Sequence, residues 1–360
     1  MSELGEGFPE FRDGPPWVTE EMVAAQPALV RELLDAPPAG VSEVAAAVRH
    51  AQQAGEPVTV IGCGTSEHGA MAIAALLADA LGGEQWPPVV ASRQSLDAAG
   101  SPQRGGVCIA VSHDGGTRAT TLALEAAAGA GAVTALVTAR PDGSAAGPAA
   151  HVMTTPGHDD SWCHTVAYTS AIATGAALAR ELGTEGVDGA GAGALLTAGL
   201  ASHREAAPFA NAQRVVTAGA GIDLITAREL ALKLAEGARV PTSALHLETL
   251  LHGHLAGEDA GTAAVLVHTD ANAARLERRA ALASDALAAI GMPVVTILPH
   301  DVPAADGLNV PLARLLGGAA ALQNLTLALV RARGVNPDLI RREEEPYRQA
   351  GDAGDAGGDW

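Results

Sequence analysis

Short apolar runs recur along the chain and alternate with Ala-rich stretches of helix length. VTVIGCG at 58–64, GVCIAVS at 106–112, VTALVT at 133–138 and HVMTTP at 151–156 form one series, with a weaker member, PVVASR, at 88–93. RVVTAGAG at 214–221, TAAVLVHT at 262–269, PVVTILP at 293–299 and LNVPL at 308–312 form a second series in the same order. Uninterrupted apolar strands are what a parallel sheet requires when helices cover both faces. The glycine turns GCGTS, from Gly62, and GAGID, from Gly219, close the leading strand of each series and lie 157 residues apart. Two copies of one α/β unit of about 150 residues account for the length better than one large sheet.

The pattern divides the chain into an N-terminal arm (1–45), a first α/β domain (46–190), a second (191–330) and a C-terminal tail (331–360). The arm is Pro-rich, and Thr19–Leu34 is its clearest helix; Val41–Ala54 also has helical apolar spacing. The boundary is placed in the turn-rich stretch Gly183–Gly193, and the acidic, Gly-rich tail is expected to end in mobile chain.

Charge narrows the function classes. Lys and Arg number 22 against 41 Asp and Glu, a net charge of −19, which opposes binding to nucleic acid or an anionic membrane. Aromatics at 2% leave little for base stacking. Cys63, Cys108 and Cys163 are widely spaced and suggest neither a disulfide framework nor a zinc site; Cys63 is expected to be a small packed residue. No basic, apolar leader opens the chain. The weakly polar stretches Thr165–Ala179 and Leu315–Val330 fall short of the ~18 residues that suggest a bilayer span. A cytoplasmic protein is the expectation. Lys233 is the only lysine beside 21 arginines, so its position calls for a compact ammonium or an amine able to lose its proton.

Two loops stand where ligands bind in such sheets, at strand ends opening into helices. Gly62-Cys63-Gly64-Thr65-Ser66 offers close backbone approach, free N–H groups and hydroxyls. Ser112-His113-Asp114-Gly115-Gly116-Thr117 makes a second cradle of the same kind. Neither contains GxGxxG or a Walker A sequence, so no nucleotide is implied. In the second unit Glu229, Lys233 and Glu236 fall at i, i+4 and i+7 on one helical face, where a carboxylate beside an ammonium stays ionised and available as a base.

Together these features resemble the sugar-isomerase (SIS) domain family, in particular the isomerase half of glucosamine-6-phosphate synthase and the fructosamine-phosphate deglycases. The residues that carry the resemblance are GCGTSEHGA, SHDGGTRAT, Ala227–Glu236 (ARELALKLAE) and, sixteen residues after Glu236, His252 in LHGHLA. It covers roughly residues 45–345. It implies two αβα sandwiches, each with a mostly parallel five-stranded sheet, and a homodimer with shared active sites. By position, Gly64, Thr65, Ser66, Ser112, His113 and Thr117 would hold the phosphate end of a sugar phosphate or amino-sugar phosphate. Glu236 would move a proton between C1 and C2, with Lys233 as the active-site lysine, and His252 would assist ring opening from the neighbouring subunit. His164, in the stretch 158–164, falls on a pocket-lining position. The implied function is an aldose–ketose isomerase-type enzyme needing no cofactor and no metal, although His158, Asp160, Cys163 and His164 are metal-ligating types. The alternatives are an isomerising fructose-6-phosphate aminotransferase or deaminase without a glutaminase domain, and a catalytically silent sugar-phosphate-binding regulator.

The chain departs from the family at three places. Asp114 stands where a second phosphate-binding Ser is usual, with Gly116 in place of a Glu and Arg118 nearby to compensate. Glu345 stands where the synthase has the lysine that forms an imine with the ketose, and no other lysine replaces it. Met1-Ser2 lacks the terminal Cys of a glutaminase.

Overall fold

Val-, Ile- and Ala-rich runs, buried on both faces in the central strands, assemble two parallel sheets. They are seen in a computed structural model that describes residues 9–83, 89–202, 206, 209–270, 273–298, 301 and 306–355. The first half contributes α1 (Val18–Asp35), α2 (Val41–Ala54), β1 (Val58–Gly62), α3 (Thr65–Ala80), β2 (Val90–Gln94), α4 (Ser95–Gly100), β3 (Val107–Val111), α5 (Arg118–Gly129), β4 (Val133–Thr138), β5 (His151–Thr154) and α6 (Val166–Glu181). Next come α7 (Gly189–Leu200), β6 (Arg214–Gly219), α8 (Ile222–Gly237), β7 (Thr242–His246), α9 (Leu247–Leu251), β8 (Thr262–Val267), α10 (Ala274–Ala289), β9 (Val294–Ile297), α11 (Val310–Arg333) and α12 (Glu345–Asp355).

The sheet orders are β2-β1-β3-β4-β5 and β7-β6-β8-β9, and every described pairing is parallel. The two sheets share a strand order: β1 and β6 lead, and each sits between the next strand and the one after it. Their likeness is visible in backbone angles too. Gly64 (φ 58°, ψ −129°) and Gly221 (φ 57°, ψ −130°) precede α3 and α8 in the same conformation, one that favours glycine.

Two segments differ from the sequence expectation. The run LNVPL at 308–312 is not a fifth strand: Asn309 caps α11 by accepting from Leu312 N, and Pro311 occupies the first helical turn. Four apolar letters fit a helix start as well as a strand, and the cap and proline decide it. The second sheet thus has four strands among the described residues. The glycines at 189–193 are not turn formers but lie in α7, capped by Asp188. A Cβ on Gly189 would lie 2.6 Å from Arg31 O, and one on Gly193 3.0 Å from Pro27 O, so these glycines let α7 lie directly against α1. Gly189→Ala is expected to destabilise the protein by about 1–3 kcal/mol despite alanine's better helix propensity, because the two helices must separate. Chemical denaturation checks this; unchanged or increased stability contradicts it.

α1 is packed rather than free, with Val30, Leu33 and Leu34 in the core beside α6 and α7. Its N-terminus is capped from the far end of the chain: the buried Asp338 carboxylate accepts from Val18 N (3.0 Å), Thr19 N (2.7 Å) and Thr19 Oγ1 (2.6 Å). Within the acidic tail, residues 345–355 form α12; its last residues lie outside the described ones. α11 is long and apolar enough to cross a membrane by length and composition, but 78% of its apolar window is buried inside the fold, as in a core helix.

Candidate active site

The strand β1 must turn sharply into α3, and glycine makes that possible. A Cβ at Gly62 would meet Ser66 O at 2.2 Å. The turn places Thr65 and Ser66 at the C-terminal edge of the first sheet. After β3 the turn at 112–117 is pinned from the neighbouring loop: Thr138 Oγ1 and Ala139 N both donate to His113 O, and Ala145 N donates to Gly115 O. Gly115 has φ +63°, and a Cβ there would lie 2.6 Å from Arg140 O.

Between these turns lies a cleft of about 310 Å³. The first half lines it with Gly64, Thr65, Ser66, His113, Asp114 and Thr117. Trp162 and His164 close one side, and Ile340 and Arg342 of the tail another. Glu236 enters from α8 of the second half. The distance in sequence between Thr65 and Glu236 is bridged by α3 and α8, which pack together: Thr65 Oγ1 donates to Glu229 Oε1 (3.3 Å) and His68 Nδ1 to Glu229 Oε2 (2.6 Å).

The α8 trio is an ionic ladder directed inward. Lys233, 1% exposed, donates to Glu236 Oε2 at 2.5 Å and lies 3.7 Å from Glu229 Oε1. Burial works against the Lys233 charge, but the attraction of Glu236 and Glu229 outweighs it and holds the ammonium above its ordinary range. Lys233 is thus a fixed cation, not an amine ready to lose its proton. It stands behind Glu236 and is not among the cleft-lining residues. Burial pushes Glu236 up from the usual carboxylate range, with Lys233 opposing. At Glu229 burial is outweighed by Lys233 and His68, and its carboxyl is held low. One helix face therefore carries a structural carboxylate, a cation and a carboxylate of raised affinity for protons, the last facing the cleft.

The other expected residues divide. Thr65, Ser66, Gly64, His113, Thr117 and His164 meet in the cleft. Ser112 is buried beneath it, with Oγ 3.4 Å from Thr117 Oγ1. His252 is not brought to the cleft of its own chain: its side chain is 73% exposed beside Glu248 and Arg279. Glu345 pairs with Arg348 at the start of α12 and does not line the cleft. His68, Trp162 and Arg342 join the site although the sequence analysis gives none of them a role. The His68–Glu229 contact spans 161 residues.

His113 is a neutral imidazole here. Burial, above all, pushes it down to about 4, and its Nε2 accepts from Asp159 N at 2.9 Å. Asp159 itself is buried and caps α6, accepting from Thr165, Val166 and Ala167 N. Ligand atoms of His113, Asp114 and His158 lie within 4.8 Å of one another, but in this arrangement His113 has already committed its one lone pair. Cys163 faces the interior beside Lys233 and Thr326, away from His158 and Asp160. Between pH 6.5, the ordinary histidine value, and about 4, the unfolded chain takes up a proton that folded His113 refuses. Stability therefore falls as pH falls through this window, by about 3 kcal/mol in full. His113→Gln should flatten that part of a Tm–pH curve; an unchanged acid slope contradicts the assignment.

At the corresponding turn of the second half the chain bonds to itself. Asp223, the second residue of α8, accepts from Thr269 N (3.1 Å) and Arg314 Nη2 (3.0 Å), and Arg314 Nη1 donates to Asp270 Oδ2 (3.0 Å).

Solved structures share this architecture over nearly the whole chain. A candidate phosphosugar isomerase from Silicibacter pomeroyi superposes with a TM-score of 0.75 at 22% identity, covering 89% of this chain and 100% of its own. The fold is that of the tandem SIS proteins. The C-terminal domain of glucosamine-fructose-6-phosphate aminotransferase from Francisella tularensis gives 0.71 at 16% identity, with coverage of 91% and 99%. Tagatose-6-phosphate ketose/aldose isomerase from Escherichia coli gives 0.69 at 17%, with coverage of 92% and 97%. No protein-family profile and no curated protein matches the sequence. Within this fold the two glycine turns of the first half meet α8 of the second at the cleft described above.

Proposed function

We propose that the protein is an aldose–ketose isomerase-type enzyme that moves a proton between C1 and C2 of a sugar phosphate or amino-sugar phosphate. The observation that carries this is the meeting of Glu236, from the second half, with Thr65, Ser66 and Thr117, from the first, in one cleft. An enediol path needs one base able to take a proton from one carbon and return it to the next. Glu236 is cleft-facing, and its raised proton affinity suits both directions. Lys233, tied to its Oε2, fixes the carboxylate and supplies nearby positive charge. His113, locked neutral, offers an N–H on its other nitrogen to a ligand oxygen. Hydroxyls of Ser66, at the start of α3, and Thr117, just before α5, suit the far end of the sugar.

Ring opening is assigned to His252 of a second copy, since in its own chain it stands exposed beside Arg279. The active unit on this reading is a homodimer. Glu345 lies off the cleft, which favours isomerisation without an imine over amination. The test is exchange of the substrate C1 or C2 proton with deuterated solvent, across hexose and amino-hexose 6-phosphates. Binding without exchange favours a silent sugar-binding regulator instead.

A further inference from the structure

A second and larger hollow, about 500 Å³, adjoins the cleft and shares Asp114, Trp162 and His164 with it. Its remaining wall includes Arg140, Asp142, Gly143 and His158, from loops at the C-terminal ends of β4 and β5. The hollow is framed by fixed backbone. A Cβ on Gly143 would meet Gly115 O at 2.5 Å, so the two loops are in direct contact. It meets the 112–117 turn at Asp114, and Glu236 is not among the residues that line it. A group joined to the far end of a sugar, with C1 and C2 at Glu236 and that end held by Ser66 and Thr117, would enter it.

Asp114 stands at the junction. His158 Nε2 lies 2.6 Å from its Oδ1 and His164 Nε2 3.9 Å from its Oδ2, and the side chain is still 53% exposed, so the carboxylate presents part of its surface to a ligand. His158, chiefly, holds this carboxyl down at about 2, and it is charged at any ordinary pH. A dianionic phosphate monoester placed here would face like charge at contact range, whereas sugar hydroxyls are donors that a carboxylate accepts. Trp162 adds an aromatic face along both spaces, with the Arg342 guanidinium 5.2 Å from its ring centre.

We propose that the substrate continues past the turn-anchored end of its reducing sugar into this hollow. The extension is a hydroxylated group that Asp114 recognises and Trp162 packs against. Its link to the sugar is a glycosidic bond or a phosphodiester, which carries one charge where a monoester carries two. This rests on the reading that C1 and C2 lie at Glu236.

Titration calorimetry with four probes tests it: fructose 6-phosphate, glucose 6-phosphate, isomaltulose (a 6-O-glucosyl fructose) and a glucose 6-phosphodiester of glycerol. At least one extended probe is expected to bind ten times more tightly than both monoesters, and comparing the two extended probes identifies the link. Asp142→Trp, which fills the hollow from an exposed loop, should erase that preference. Asp114→Asn should strengthen monoester binding about tenfold. Monoesters binding as well as extended probes, no binding by any probe, or a preference that survives Asp142→Trp overturns the proposal. Proton exchange, measured separately, keeps the two readings apart. Extended-probe preference without exchange retains the hollow and removes the chemistry; exchange with monoesters alone does the reverse.

Discussion

Glu236→Gln is expected to lower turnover by about 10²–10⁴-fold while leaving sugar binding in place. The amide keeps the size and the hydrogen-bonding reach of the carboxylate but cannot hold the migrating proton. Glu236 is also the one group of the α8 ladder that lines the cleft, so the loss is specific to it. Deuterium wash-in at C1 or C2 reads the step directly, and calorimetry reads binding. The wild-type profile carries a second signature. Because burial raises the Glu236 pKa, the fraction of free base falls as pH drops through a value above the ordinary ~4.3 of glutamate, and activity falls with it. Turnover persisting in Glu236→Gln removes the proposed mechanism.

The second large effect concerns stability. Lys233→Met should cost about 3–5 kcal/mol, since it leaves Glu229 and Glu236 in the interior without their shared cation. For a chain of this size that is a Tm loss of about 5 °C by per-residue unfolding entropies. The deficit has a predictable pH dependence. Without the ammonium, the folded state of the variant binds a proton on the carboxylate pair more readily than the unfolded chain does. Its stability therefore recovers as pH falls and worsens as pH rises. Lys233→Arg should not restore the wild type, because a planar fork needs room that a fully buried ammonium site lacks. Equal stability of Lys233→Met and wild type across pH would show that the ladder is not the strut described here.

The strands were legible because a parallel strand covered on both faces has no reason to alternate. VTALVT at 133–138 is β4 to the residue. β7, Thr242–His246, was not legible: it is a half-exposed edge strand of mixed letters, TSALH, and its pairing with β6 decides it rather than its own pattern. α7 was misjudged because glycine has two uses, turning the chain and letting helices touch, and only the position of α1 distinguishes them. In the site, the spacing of Glu229, Lys233 and Glu236 on one helix was legible, since three side chains at i, i+4 and i+7 share a face. Which of them meets the ligand was not. Lys233 lies behind Glu236, and only the packing of α3 on α8 determines this. His68, Trp162 and Arg342 depend on contacts across the whole chain, and sequence periodicity carries no trace of such distances.

The Asp223–Arg314–Asp270 cluster bears on how many sugars each polypeptide accommodates. Each sheet has a strand-to-helix turn of the same form, yet at the later one an internal carboxylate, Asp223, stands where a bound anion would otherwise rest. Saturation should come at a single molecule per polypeptide. On the proposed function, α8 lends Glu236 to the first crevice alone.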